Sequence, residues 1–257
     1  MILDISNLSA GYRGKQILKD VSFPVQPHKM TVVLGRNGCG KSTLVSCINQ
    51  QIADYTGEIR CQDRDLKAMT PVERARAVAV LPQVLPSPAI TVDELVRFGR
   101  NPYLGWGRRL SKLDGEMISQ AMELAEVTGL KNSLISNLSG GERQKAYLAM
   151  ILAQNTRLIV MDEPTTYMDV EYQGRLMELI IRLKREQKKT LLVVMHDLSL
   201  ALQYADNAVI LENGTVRFFG TTEACMESGE LERVFHVQKH VFEEQGKKYV
   251  IFDPERY

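Results

Sequence analysis

The chain has 257 residues, is 44% apolar and 25% charged, and carries a formal net charge of +1. Such a composition belongs to an ordinary globular protein with room for one large α/β domain or two small ones. The balanced charge excludes the strong basic field of a nucleic-acid binder, so no nucleic-acid partner is expected.

The longest apolar runs, such as 158–161 and 191–195, fall far short of the roughly 18 to 20 residues a membrane-spanning helix needs. The opening Met-Ile-Leu-Asp-Ile-Ser lacks a charged start followed by an apolar stretch, so no signal peptide is expected and the chain is expected to stay in the cytosol. Cys39, Cys47, Cys61 and Cys225 have neither CxxC pairing nor zinc-ligand spacing, and in a reducing compartment they read as free thiols. No internal repeat or low-complexity segment is present.

In chain order, residues 2–34 read as β-rich: Ile2, Leu3 and Ile5 open a strand, Gly11 and Gly14 punctuate a turn, and 30–34 is a short apolar strand ending at Gly35. Leu44, Val45, Ile48 and Ile52 then recur at helical spacing. Thr70-Pro71-Val72-Glu73 starts a helix, with Pro at its first position and Glu at the third, and Thr91-Val92-Asp93-Glu94 starts another. Between them, 78–81 is a strand followed by Pro82-Gln83. From about 87 to 153 the pattern is mainly helical, an insert within an α/β frame. The frame returns at the strand 158–161. Tyr172, Leu176, Leu179, Ile180 and Leu183 line one face of a helix, and 191–195 is a further strand. Asn213-Gly214 signals a hairpin, and the tail is read as a short helix and a second hairpin around Gln245-Gly246. Apolar strands alternating with helices predict an α/β fold with a mainly parallel sheet, covered on both faces, after an antiparallel N-terminal β part.

Gly35-Arg36-Asn37-Gly38-Cys39-Gly40-Lys41-Ser42-Thr43 fits the pattern G-x-x-x-x-G-K-[ST] between a strand and a helix. Glycines let the backbone wrap a phosphate and reach positive φ. Successive amides and the helix N-terminus form an anion cradle. Lys41 would neutralise the β and γ phosphates of a bound nucleotide, and the Ser42 hydroxyl would ligate Mg²⁺.

Asp162 and Glu163 close the strand 158–161 at the carboxyl edge of the sheet, where ligands bind in this architecture. There Asp162 would reach the Mg²⁺ shell and Glu163 would orient the attacking water. His196 ends the next strand; it reads either as a structural histidine or as a contact to the γ-phosphate. Gln83 reads either as a loop residue or as part of the Mg²⁺ or water shell.

Leu138-Ser139-Gly140-Gly141-Glu142-Arg143-Gln144 is formally a capping box opening a helix, yet two glycines there would bare the helix N-terminus to an anion. The stretch resembles the LSGGQ signature of ABC-transporter nucleotide-binding domains, with Glu142 in place of the usual Gln. The other family motifs follow in order: the A-loop aromatic Tyr12, the phosphate loop, the Q-loop Gln83, the Asp162-Glu163 pair, a D-loop ending at Asp169, and the switch histidine His196.

The resemblance covers about residues 1–220 and implies a P-loop NTPase core with a helical subdomain at about 87–153. Residues 221–257 would form a short C-terminal extension. It further implies an ATPase using ATP and Mg²⁺, working as a head-to-tail homodimer. Each ATP would lie between one phosphate loop and the partner's Ser139, Gly140, Gly141 and Glu142, with Tyr12 stacked on adenine. The partners implied are integral-membrane permease subunits and, indirectly, an extracytoplasmic substrate-binding protein, which places the chain peripherally on the cytoplasmic face. Tyr103, Leu104 and Trp106 read either as an exposed permease contact or as core of the insert.

A narrower likeness lies in residues 37–43, in Arg-Phe-Gly-Arg-Asn-Pro-Tyr-Leu-Gly at 97–105, in Thr165-Thr166-Tyr167-Met168-Asp169 and in His196-Asp197-Leu198-Ser199. These look like the ATPase subunits of bacterial ferric-siderophore, haem and cobalamin importers. An exporter ATPase, an importer of other cargo and a soluble ABC ATPase remain the alternatives, since the ATPase itself does not touch cargo.

Overall fold

The computed structural model describes residues 1–12, 14–105, 109–166, 168–244 and 247–254. The chain divides into two compact units, one built from residues 1–68 and 190–257 and the other from 69–189.

The first unit opens with β1 (Leu3–Tyr12) and β2 (Lys15–Val25), paired antiparallel. Buried and open positions alternate along most of β1, as a strand with one face on a core requires. β3 (Met30–Leu34) is buried throughout and runs through the glycine loop into α1 (Lys41–Ile48). β4 (Tyr55–Cys61) pairs with β1, and the two-residue β5 (Arg64–Asp65) closes an antiparallel sheet in the order β2-β1-β4-β5.

The second unit begins at α2 (Pro71–Ala77), whose Thr70 and Glu73 exchange side-chain and backbone bonds as expected. β6 (Val78–Leu81) follows. The helical stretch then comprises α3 (Val92–Phe98), α4 (Lys112–Leu124) and α5 (Gly140–Gln154). α3 carries the expected Thr91–Glu94 box, and α4 carries one between Ser111 and Asp114 that the Glu/Gln pattern does not flag. β7 (Leu158–Asp162) lies parallel to β6, with Leu81 opposite Met161, and α6 (Val170–Arg185) follows. On α6, Leu176, Leu179, Ile180 and Leu183 are buried, whereas Tyr172, expected on the same face, is 38% exposed because it lies in the first turn at the margin of the core. Tyr103 is half-covered rather than free. Its hydroxyl donates to the Gln154 carbonyl at 2.9 Å and its ring lies 4.0 Å from the Arg100 guanidinium, which makes it part of the insert's interior packing; Leu104 is half-covered as well. Trp106 lies outside the described residues.

The chain returns to the first unit with β8 (Thr190–Val194), α7 (Leu198–Tyr204), β9 (Asn207–Glu212) and β10 (Thr215–Thr221). β3 lies between β8 and β9, parallel to both, and β10 joins β9 antiparallel across the Asn213-Gly214 turn. Every residue of β3 and β8 is buried, which is why both read as unbroken apolar runs. The tail holds two short helices where one was expected: α8 (Thr222–Glu227) and α9 (Glu230–Phe235), separated by Gly229 at φ 73°. β11 (Val237–Glu244) and β12 (Lys247–Pro254) pair from Val237 opposite Pro254 to Glu244 opposite Lys247, and the expected turn residues Gln245 and Gly246 lie outside the described set. The fold is thus α/β with mainly parallel core strands, an antiparallel N-terminal part and a helical segment. Among the described residues no helix is long and apolar enough to cross a membrane. All four cysteines are buried free thiols.

Candidate nucleotide site

In the first unit the glycine loop is fixed by close contact. A Cβ on Gly35 would stand 2.5 Å from both the Leu211 carbonyl oxygen and Cys39 Sγ. Gly40 sits at φ 113°, a conformation that side chains disfavour, and a Cβ there would meet Leu18 at 2.6 Å. Gly40 is also the N-cap of α1 and supplies no side-chain cap, so the first-turn amides keep their capacity to bind an anion. Lys41 is 5% exposed and its ammonium donates to the carbonyls of Gly35 at 2.7 Å and Arg36 at 3.3 Å, which holds the charge inside the loop. Burial pushes the Cys39 thiol up, so it packs as a neutral group.

The loop has a brace that the motif alone does not reveal. The Gly214 amide donates to the Cys39 carbonyl at 3.0 Å, and the Lys19 amide donates to Gly214 at 2.8 Å. The hairpin turn read from Asn213-Gly214 therefore supports the cradle, and its signal was turn chemistry rather than any nucleotide motif. Ser42 is exposed at the start of α1, and Thr43 is buried. Tyr12, at the end of β1, is 50% exposed. His196 is exposed just past β8, beside Asp197, which caps α7 by accepting from the Leu200 amide at 2.8 Å.

In the second unit Asp162 ends β7 and is 6% exposed, and Glu163 follows at 8%. Strand register explains what meets Glu163. Leu81 lies opposite Met161, and two residues further along each parallel strand come Gln83 and Glu163. The Gln83 amide donates to the Glu163 carboxylate, and the Thr166 hydroxyl lies 3.4 Å from the same oxygen. Thr166 was visible only as part of the D-loop likeness, with no role attached.

α5 starts as the capping box requires. Ser139 Oγ accepts from the Glu142 amide at 3.3 Å, and Glu142 Oε2 accepts from the Ser139 amide at 2.9 Å and its hydroxyl at 2.7 Å. Those bonds, the hydroxyl's first, hold the Glu142 carboxyl below the usual range. A Cβ on Gly140 or Gly141 would meet nothing within 4 Å. No contact within the described residues therefore excludes a side chain at either position. Gln144 donates to the Pro164 carbonyl, tying this helix to the loop after β7. Asp169 is exposed and caps α6 by accepting from the Tyr172 amide at 2.9 Å. Gln83, Ser139, Gly140, Gly141, Glu142, Glu163 and Asp169 all line one open groove of this unit.

A phosphate-cradling loop, an acidic pair at a parallel strand end and a bared helix start in one chain define a P-loop nucleotide-binding cassette. The chain belongs to the ABC transporter family, whose model matches residues 18–166. It is 33% identical to the petrobactin import ATP-binding protein FpuC of Bacillus anthracis over 93% of this chain and 88% of that one. To the iron(3+)-hydroxamate import ATP-binding protein FhuC of Bacillus subtilis (strain 168) it is 34% identical over 93% and 89%. A solved structure described as an inward-facing conformation of a metal-chelate type ABC transporter superposes with a TM-score of 0.85 at 25% identity, covering 99% of this chain and 98% of that one.

Proposed function

We propose that this chain is the ATP-hydrolysing subunit of a bacterial importer of iron chelates. It works as a head-to-tail homodimer, peripherally on the cytoplasmic face of membrane permease subunits that an extracytoplasmic binding protein supplies. The observation that carries the enzymatic part is the Gln83–Glu163 bond in a groove shared with Ser139–Glu142. The cargo reading is supported by the petrobactin and iron(3+)-hydroxamate importers among the relatives.

The substrate is ATP. Lys41 and the amides of residues 36–42 bind its β and γ phosphates, and Tyr12 stacks on the adenine. Ser139, Gly140, Gly141 and Glu142 reach the γ-phosphate bound by the other subunit, and Asp169 lines the same face. Glu163, oriented by Gln83, polarises the attacking water, and His196 contacts the γ-phosphate. The chain's donors fit Mg²⁺: Ser42, Gln83 and Asp162 offer hydroxyl, amide and carboxylate oxygens, the hard ligands this ion takes alongside substrate phosphates. When bound, the ion supplies charge neutralisation on the phosphate oxygens. Binding of two ATP closes the dimer and hydrolysis releases it.

The test is uptake of radiolabelled ferric hydroxamates, haem and cobalamin in cells carrying the native chain or Glu163→Gln, with ATP turnover measured on the purified chains. Removing a general base costs about 10² to 10⁴ in rate, so Glu163→Gln is expected to abolish turnover and ferric-chelate uptake together. Turnover at the native rate would remove Glu163 from its role. Lost turnover with unchanged iron uptake would discard the cargo and favour an exporter or another substrate.

A further inference from the structure

The helix that starts at the signature stretch and the helix that starts after the D-loop are tied together by a cluster that no nucleotide motif includes. Tyr172 lies in the first turn of α6 and is held at both ends. Its amide donates to Asp169 Oδ1 at 2.9 Å. Its ring faces the Lys145 ammonium on α5, 4.6 Å from the ring centroid, with the Arg175 guanidinium at 5.9 Å. Glu126 sits beside both cations, 3.0 Å from Lys145 and 3.6 Å from Arg175, and Lys145's bond holds its carboxyl below the usual range.

Lys145 is one helical turn from Glu142, so the same side chain borders the signature rim and the Tyr172 ring. Tyr172 also separates two spaces. It lines the groove that holds Asp169 and Ser139, and it lines a smaller cavity of about 100 Å³ under α6, floored by Leu81, Leu148 and Leu176. A ring 38% exposed at such a boundary is only partly held by burial, which leaves its cation contacts to add to its positioning. Open space borders the ring on both sides, and the two cations lie against it. A Lys ammonium over an aromatic face at a partly exposed site is an attraction of useful size.

We propose that Lys145 and Tyr172 form a positioning clamp that sets the spacing between the Ser139–Glu142 rim and Asp169, and thereby the rate of ATP turnover. The clamp rests on the proposed ATPase function. Neither residue belongs to the phosphate loop, the signature stretch or the acidic pair; the clamp acts by holding the two rims of one groove in register.

The experiment is steady-state ATP hydrolysis by the full chain and by Tyr172→Leu, Lys145→Met, the double variant, and Tyr172→Phe, which keeps the π face. Tyr172→Leu and Lys145→Met are each expected to lower kcat about fivefold, equivalent to about 1 kcal/mol at 1.4 kcal/mol per decade. KM for ATP should stay within about twofold, because the phosphate loop is untouched. The double variant should lose no more than either single variant, and Tyr172→Phe should match the native chain. Native kcat in Tyr172→Leu, losses that multiply in the double variant, or a Tyr172→Phe as slow as Tyr172→Leu would each overturn the clamp. Glu163→Gln runs in the same assay: if it turns over like the native chain, the underlying ATPase assignment fails, whatever the clamp variants do.

Discussion

Asp114→Ala tests the account of how the helical segment is held. Asp114 stands in the first turn of α4 with its side chain 11% exposed, and Arg100 stands opposite at 6%. Arg100 Nε donates to Asp114 Oδ1 at 2.9 Å, while Oδ2 accepts from the Ser111 amide at 2.9 Å and the Ser111 hydroxyl at 2.6 Å. One carboxylate therefore closes both a buried ion pair and a helix cap. Removing one partner of a buried pair costs about 3–5 kcal/mol, because the other charge is left uncompensated. Losing half the capping box adds about 0.5–1 kcal/mol. Arg100 keeps its bond to the Ala153 carbonyl at 2.8 Å and its stack on Tyr103, which offsets part of the loss. The expected net is about 4 kcal/mol. For a chain of this size that is roughly 8–16 °C in Tm, at about 2–4 °C per kcal/mol. Urea unfolding and thermal melting of Asp114→Ala and of the double variant Arg100→Leu/Asp114→Leu decide the matter. The double variant leaves no orphan charge and should lose only about 1 kcal/mol, mostly the cap. A single variant within about 1 kcal/mol of native, or a double variant as unstable as the single, would refute the reasoning.

Two further outcomes are expected. Lys41→Ala removes the charge buried in the glycine loop, and at about 1.5–3 kcal/mol for a hydrogen bond to a charged group it should weaken ATP binding about 10- to 150-fold by calorimetry; unchanged affinity would count against the cradle. In acid, Glu94, Asp114 and Glu142 share one sign: the capping Thr or Ser of each helix holds the folded carboxyl below its ordinary value. Their stabilisation is present above about pH 4, the unfolded range, and is lost as pH falls through the lower folded values. Urea midpoints should therefore fall below pH 4, less steeply in Asp114→Ala, and a midpoint constant down to pH 2.5 would contradict the assignment.

Features governed by neighbours in sequence were legible in the sequence. Gly35 to Thr43, the caps at Thr70, Thr91 and Ser139, and the Asn213-Gly214 turn all sit where local pattern placed them. The Ser111 cap escaped because Asp114 does the work usually assigned to Glu or Gln. The tail helix α8 escaped because the helical reading began only at about residue 230, beyond Gly229, whose positive φ separates α8 from α9. Tyr172 matched the helical period of a core face, but periodicity cannot say where a face runs out of partners. The Gln83–Glu163 contact needed a quantity no single stretch carries, the register of β6 on β7.

Glu163 shows most clearly where local rules end. A residue leaving a buried strand would keep an extended backbone, yet Glu163 lies at φ 52°, in the left-handed region. For a residue with a Cβ that conformation costs about 1–2 kcal/mol, and Gly or Asn would occupy it more cheaply. The bend turns the chain out of the strand direction immediately after Asp162. It leaves the Glu163 carboxylate almost fully buried, bonded by Gln83 and within reach of Thr166. A glutamate retained against its own backbone preference, where a glycine would relieve the strain, is hard to explain by stability. It is explained if the carboxylate must stand at that point, which is what the proposed water-polarising role requires.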